Sequence, residues 1–531
     1  MHARAGAALA VLYEGRLDDH ASELALHFRR AGDDARSFEY ELRAAREAAR
    51  MHASDTAIAH FTGALECAAR LGLHAHSDRR VRGLLLERGW RHHVSGEFEA
   101  AVADYGRAVE ASRAAADRLL EAQALGELGT SEKQFDTERA LGHLRQALAI
   151  AEELDDSPLQ VRILNRLSLL LSNQLDLAGA VRAGEQALSL AREAAGERER
   201  VLAIDALKLA ALQLGELERL AELTAELEGI ERRSGDLWYL LWTLLEGSFA
   251  PIGGARWDAA ERRLEEALAV SSRLADPLAA PLVYDARCWL ERSRGGYQRS
   301  LAAGRRAAEL TVPGSAGPWT AWTRATLGWC LLDLRAAVDA VSLLGHAAEH
   351  AEMLADRVRV LGHLAWAHAL AGDLANAERT ALEAESILAR VELPAGATFL
   401  FGFGALVSLG RAQITLGRFE EARAGLERLL AAAQGGGWQE AVGSAKLALG
   451  TLHAARGESP QATRALRDAV ELAHHHGLPG VEWEALAALA PLVAAAEGEE
   501  LRTRSAAVVR RLAEGVEDRV LAEGLVRAAE G

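Results

Sequence analysis

Lysine is nearly missing from this chain of 531 residues: Lys133, Lys208 and Lys446 are the only three. A phosphate-cradling loop needs a lysine that follows glycine and precedes Ser or Thr. The strings Glu132-Lys133-Gln134, Leu207-Lys208-Leu209 and Ala445-Lys446-Leu447 exclude that loop. Cysteine is as scarce. Cys67, Cys288 and Cys330 are odd in number and lack paired spacing, which excludes a disulfide framework or zinc knuckle and leads us to expect a reducing, cytoplasmic location. Proline (10) is sparse, aromatics make up 5%, and no alternating strand pattern is present. Acidic residues exceed basic ones by 16, which disfavours sequence-independent contact with nucleic-acid backbones. The one long uncharged run, Leu393 to Gly410, is interrupted by Pro394, Gly396, Gly402 and Gly404, so we expect no membrane insertion. Glu14, Asp18 and Asp19 follow a short apolar run at the N-terminus without a small-residue cleavage site, and no secretory signal is expected.

What the chain does contain is a repeat. Ala101-Tyr105-Ala108, after a turn at Gly96-Glu97, sets a small-large-small pattern at i, i+4 and i+7. It returns at Ala140-Leu144-Ala147, Ala260-Leu264-Ala267, Ala340-Leu344-Ala347, Ala377-Ala381-Ala384, Ala422-Leu426-Leu429 and Ala462-Leu466-Ala469, with weaker copies on Ala180, Leu220 and Ser300. From 140 to 340 the step is 40 residues. Such positions share one helical face, so a second helix can approach closely there. One pair cannot bury its stripe alone, whereas stacked pairs can. Gly89, Gly328, Gly410 and Gly450 stand twelve residues before the signature. A glycine inside a helix costs about 1 kcal/mol against alanine, so its reuse implies close helix contact.

In chain order, residues 1–76 read as N-terminal helices and first repeats, 77–480 as a repeat array, and 481–531 as charged capping helices. Turn signals separate the helices at Gly96, Asn173-Gln174, Gly215, Gly254, Gly295, Gly372, Gly417 and Gly457. Loops are expected at 311–318, 435–437 and 477–480.

The Gly-Glu-Phe-x-x-Ala turn and helix at Gly96 to Ala101, with its small residue seven on, resembles the tetratricopeptide repeat over roughly residues 20–475. The period departs from that family, being 40 here instead of 34. The longer variant is similar to the sensor arms of large ATP-binding LuxR-type regulators and related signalling ATPases, and Leu17 to Phe28 followed by Ala31-Gly32-Asp33 resembles the start of such arms. HEAT-type repeats share the longer period. The fold class expected is all-α, a right-handed superhelical solenoid of about twelve antiparallel helix pairs.

One string matches a catalytic motif. His346-Ala347-Ala348-Glu349-His350 has the spacing of inverted zinc proteases, but Ala347 is a packing residue, which sets the histidines on an outer flank as solvated groups. His474-His475-His476 reads as cations near a helix C-terminus. No nucleophile elbow occurs and no cysteine has an evident histidine partner. We expect neither enzymatic activity nor a metal or other cofactor.

In tetratricopeptide arrays the first helix of each pair lines the concave side. The position eleven before the signature holds Trp90, Phe249, Trp289, Trp329 and Trp366, with Trp242 and Trp322 one heptad earlier. Such a ladder either lines a groove able to grip peptide side chains or fills space between long helices; both readings stand. Arg287 and Glu291 occupy expected packing places in one repeat, which argues for a rotated register and a buried Trp289. The candidate ligand-binding residues are Phe249, Trp289, Trp322, Trp329 and Trp366, flanked by Asp285, Arg292 and Arg359. The function expected is a scaffold that holds a partner protein or peptide, the alternative a small-ligand sensor arm of a signalling ATPase or transcriptional regulator.

Overall fold

The structure is a computed structural model that describes all residues except 52, 195, 275–277, 312–318, 392–401 and 531. All of the loop expected at 311–318 except Thr311, and the first half of the uncharged run at 393–410, therefore lie outside the described residues. Among those described, regular structure is helical throughout. No helix among them is long and apolar enough to cross a membrane.

The chain divides into two compact units. Unit 1 is built chiefly from Met1–Leu167 and Gln186–Arg200, and unit 2 from Ser168–Glu185, Val201–Ala275 and Ala279–Gly531. In chain order the first helices are α1 (His2–Leu12), α2 (Ala21–Arg30), α3 (Asp34–Arg50), α4 (Ser54–Arg70), α5 (Arg79–Val94), α6 (Phe98–Ala114), α7 (Arg118–Glu132), α8 (Thr137–Glu153) and α9 (Ser157–Asn173). Next come α10 (Leu177–Ala194), α11 (Glu197–Leu214), α12 (Leu217–Ser234), α13 (Leu237–Gly247), α14 (Phe249–Gly253), α15 (Trp257–Leu274), α16 (Ala279–Ser293), α17 (Tyr297–Leu310), α18 (Thr320–Asp333) and α19 (Ala337–Glu349). The last are α20 (Leu354–Leu370), α21 (Leu374–Leu388), α22 (Phe403–Thr415), α23 (Phe419–Gly436), α24 (Gln439–Ala455), α25 (Ser459–His476), α26 (Pro479–Leu489), α27 (Ala495–Glu514) and α28 (Arg519–Glu530).

Local chemistry explains the boundaries. Asp33, Asp117, Asp136 and Asp373 accept from the backbone N–H three residues on, at 3.0 to 3.2 Å, capping α3, α7, α8 and α21. Gly96 and Gly372 close their turns with φ of 76° and 80°, a conformation that costs glycine little. At two expected turns a non-glycine residue takes that role: Gly254 has an ordinary φ of -81° and Ala255 sits at 54°, while Leu175 at 60° follows Asn173-Gln174. Pro251 lacks an N–H and crowds the preceding turn, and the helix breaks at Ser248 between α13 and α14.

The signature residues pack as the periodicity requires. Ala101, Tyr105, Ala108, Ala340, Leu344, Ala347, Ala462, Leu466 and Ala469 are all buried. The glycine of the preceding helix makes room for the large residue. A Cβ at Gly89 would stand 2.7 Å from the Tyr105 ring, and at Gly328 or Gly450 2.6 Å from Leu344 or Leu466. Consecutive helices pack as pairs, and in unit 2 the first helices also touch one another in succession, α16 on α18, α18 on α20, α20 on α22 and α22 on α24. That makes them the inner layer of unit 2.

Candidate functional site

The inner layer of unit 2 gathers the aromatic residues into a cluster in place of an open ladder. Trp289 packs on Phe249 (centroids 5.5 Å apart), Trp329 (5.9 Å) and Phe403 (5.6 Å). Trp329 also meets Phe403 at 5.3 Å and stacks on His363 at 5.3 Å. Phe403 in turn meets Trp438 at 6.4 Å. The Trp438 indole N–H donates to the Gly215 carbonyl at 2.6 Å across 223 residues of sequence. Gly215 is required there, because a Cβ would fall 1.2 Å from the Trp438 ring. The inner wall of unit 2 thus meets itself.

Charge completes this closure. Glu440 of α24 accepts from the Ser293 hydroxyl at 2.7 Å, from the Trp289 indole at 3.2 Å and from Arg292. Arg292 also donates to Asp333 at 2.7 Å and lies 3.4 Å over the Trp329 ring. Burial opposes the charge on Arg292, but Glu440 and Asp333 outweigh it and hold the guanidinium above its usual range. A second cluster joins Asp285, Trp322 and Arg359: the Trp322 indole donates to Asp285 at 2.8 Å, Arg359 approaches Asp285 at 3.7 Å, and Arg359 lies 4.3 Å over Trp322. Here burial dominates, pushing the Asp285 carboxyl up and the Arg359 guanidinium down despite their mutual attraction.

Of the eight residues singled out from the sequence, Phe249, Trp289, Trp322, Asp285, Arg292 and Arg359 are buried in the core of unit 2, and Trp329 and Trp366 are half-buried. Trp289 is 1% exposed, but so is Glu291, which keeps its inward packing place by pairing with Arg294 and Arg299. Trp329, Trp366 and Arg292 line a cavity of about 40 Å³ as measured to the centre of a water molecule. Its rim is charged. Glu484 bridges Arg335 and Arg411 at 2.9 Å each, and Arg411 lies 5.9 Å over Trp366. Burial would raise the Glu484 carboxyl, but the two guanidiniums hold it below its ordinary value.

No family model matches the chain, and no curated protein does. Solved structures are similar. The Cut9-Hcn1 hetero-tetramer of the APC/C superposes over 99% of this chain and 94% of its own, with a TM-score of 0.56 and 12% identity. Rap protein complexed with Competence and Sporulation Factor covers 67% of this chain and 99% of its own, with a TM-score of 0.48 and 13% identity. The fold is a tetratricopeptide-like array of helix pairs.

Sequence reasoning missed Arg411, Glu440 and Glu484. Arg411 was findable, since it stands eleven residues before Ala422, the register of Trp329 and Trp366 in their own repeats. Glu440 and Glu484 follow no periodic rule and were visible only once α24 and α26 were placed. His346 and Glu349 on α19 and His350 just past its end are exposed, with ligand atoms within 4.8 Å of one another.

Proposed function

We propose that the chain is a non-enzymatic interaction scaffold that holds a partner protein or peptide against the inner layer of unit 2. The observation that supports this most is the surround of Trp366: a half-buried ring with the Arg411 guanidinium over it and the Glu484 carboxylate paired to that guanidinium, all three lining a small cavity. Aromatic and arginine groups of this kind anchor protein interfaces, because they bury large area at low entropic cost. The closed cluster of Phe249, Trp289, Trp322, Asp285 and Arg359 then acts as rigid support, with Trp329, Trp366 and Arg292 next to the partner.

Affinity capture on the whole chain, with cross-links mapped by mass spectrometry, tests this. Cross-links should fall on α18, α20 and α22, and Trp366→Ala should reduce retention about tenfold with the melting temperature little changed. Cross-links confined to the second helices of the pairs would overturn the reading. The half-enclosed cavity favours a second reading, the sensor arm of a signalling ATPase or transcriptional regulator; it predicts a melting shift with a metabolite and no stable protein partner.

A further inference from the structure

Unit 1 carries a pocket of a different kind. It opens between three successive first helices: Trp90 on α5, Gln123 and Glu127 on α7, and Leu159, Arg162 and Arg166 on α9. Its volume, about 160 Å³ to the centre of a water molecule, exceeds that of the cavity in unit 2 fourfold, by the ratio of 160 to 40. Arg162 and Arg166 are one helical turn apart and both line the space. Arg166 pairs with Glu127, the one carboxylate in the lining. Arg162 makes no ion pair among the described residues, and its neighbours include two more cations, Arg166 and Arg198.

Further positive charge stands close by. Lys133, just past the end of α7, is lowered to about 8 by burial and by Arg166. Burial, Arg166 and Arg198 likewise lower Arg162, with Glu127 and Asp156 opposing. Crowded cations are unusual in a chain whose formal charge is -16. In unit 2 two inner-layer guanidiniums face carboxylates: Arg292 faces Glu440 and Asp333, and Arg411 faces Glu484. Near Arg162 the one lining carboxylate, Glu127, is already paired with Arg166, and among the described residues no carboxylate stands within ion-pair distance of Arg162. Trp90 supplies a flat apolar wall and stacks on His93 at 5.4 Å. Leu159 adds aliphatic surface, and the Gln123 amide both donates and accepts hydrogen bonds.

We propose that this pocket binds a small organic oxyanion, a carboxylate or phosphate ester on a flat apolar body, with its charge on Arg162 and Arg166 and its body against Trp90. A planar guanidinium matches both oxyanions in a bidentate way, and a water-sheltered site strengthens the pairing. The site is separate from the inner layer of unit 2, so either proposal can fail alone.

Isothermal titration of the full chain with phenyl phosphate, benzoate, inorganic phosphate and benzyl alcohol tests it. Phenyl phosphate or benzoate should bind saturably at about 1 mM or below, and whichever is tighter identifies the oxyanion. Arg162→Gln and Trp90→Ala should each weaken that binding at least about tenfold, Arg162→Lys less, with far-UV circular dichroism unchanged. Benzyl alcohol binding as tightly as phenyl phosphate would overturn the proposal, since the cations would then be irrelevant. So would binding that both substitutions leave intact, or no anion binding up to about 10 mM.

Discussion

The two inner walls of this molecule use one repeat grammar to opposite ends. In unit 2 the wall meets itself: Trp438 reaches Gly215, Glu440 reaches Arg292, and Arg292 and Arg411 each have a carboxylate. In unit 1 the α5, α7 and α9 wall keeps a pocket in which cations crowd one another. Buried charge is tolerable when paired and costly when not. A wall whose charges are answered from within leaves a partner only its margin, as around Trp366, whereas one that leaves Arg162 without an ion pair among the described residues is complementary to an anion from outside the chain.

The strongest way to break this contrast is to remove the acid that closes unit 2. Glu440→Ala leaves Arg292 buried with only Asp333 to pair, and Trp289 and Ser293 without their acceptor, at a cost of about 3–5 kcal/mol. Hydrogen–deuterium exchange should quicken in α16 and α24 while α5 to α8 keep their protection. Equal loosening of α5 to α8 would show that the contacts of Glu440 do not confine their effect to unit 2.

A smaller effect sharpens the same point within unit 2. Asp356 is buried on α20 and makes no ion pair among the described residues; burial raises it to about 7, with Arg359 opposing. Its folded value lies above the ordinary 3.8, so its contribution to stability is full below about pH 4 and is lost as pH rises through about 7. Asp356→Asn removes this loss. The variant should gain about 1–3 kcal/mol over the parent between pH 5 and 8, read by chemical denaturation at each pH. A constant difference across that range would mean that Asp356 ionises normally.

The least effect on stability is expected in unit 1. Arg162→Gln removes a cation from a crowd and breaks no ion pair, so stability should stay within about 0.5 kcal/mol or rise. A loss of several kcal/mol, comparable to that of Glu440→Ala, would place Arg162 among the structural charges and erase the distinction between the walls.

Much of the architecture was legible before any coordinates. The small-large-small triplets at Ala101, Ala340 and Ala462 specified the helix pairs and their buried faces, and Gly89, Gly328 and Gly450 specified close approach. Those are local rules, since three positions on one face decide whether two neighbouring helices nest. The candidate site was only half legible. Trp289, Trp329 and Trp366 share one register, yet Trp289 is buried and Trp366 half-buried, because register says which face a side chain takes and not what approaches it from more than a hundred residues away.

Fold class, period and packing seam follow from local chemistry, because each depends on side chains within one or two turns of a helix or on the next helix along. Which inner wall closes and which stays open is set by packing over long range. That outcome depends on curvature summed over many repeats, and on where the accumulated turn delivers Glu440, Trp438 and Glu484 relative to Arg292, Gly215 and Arg411.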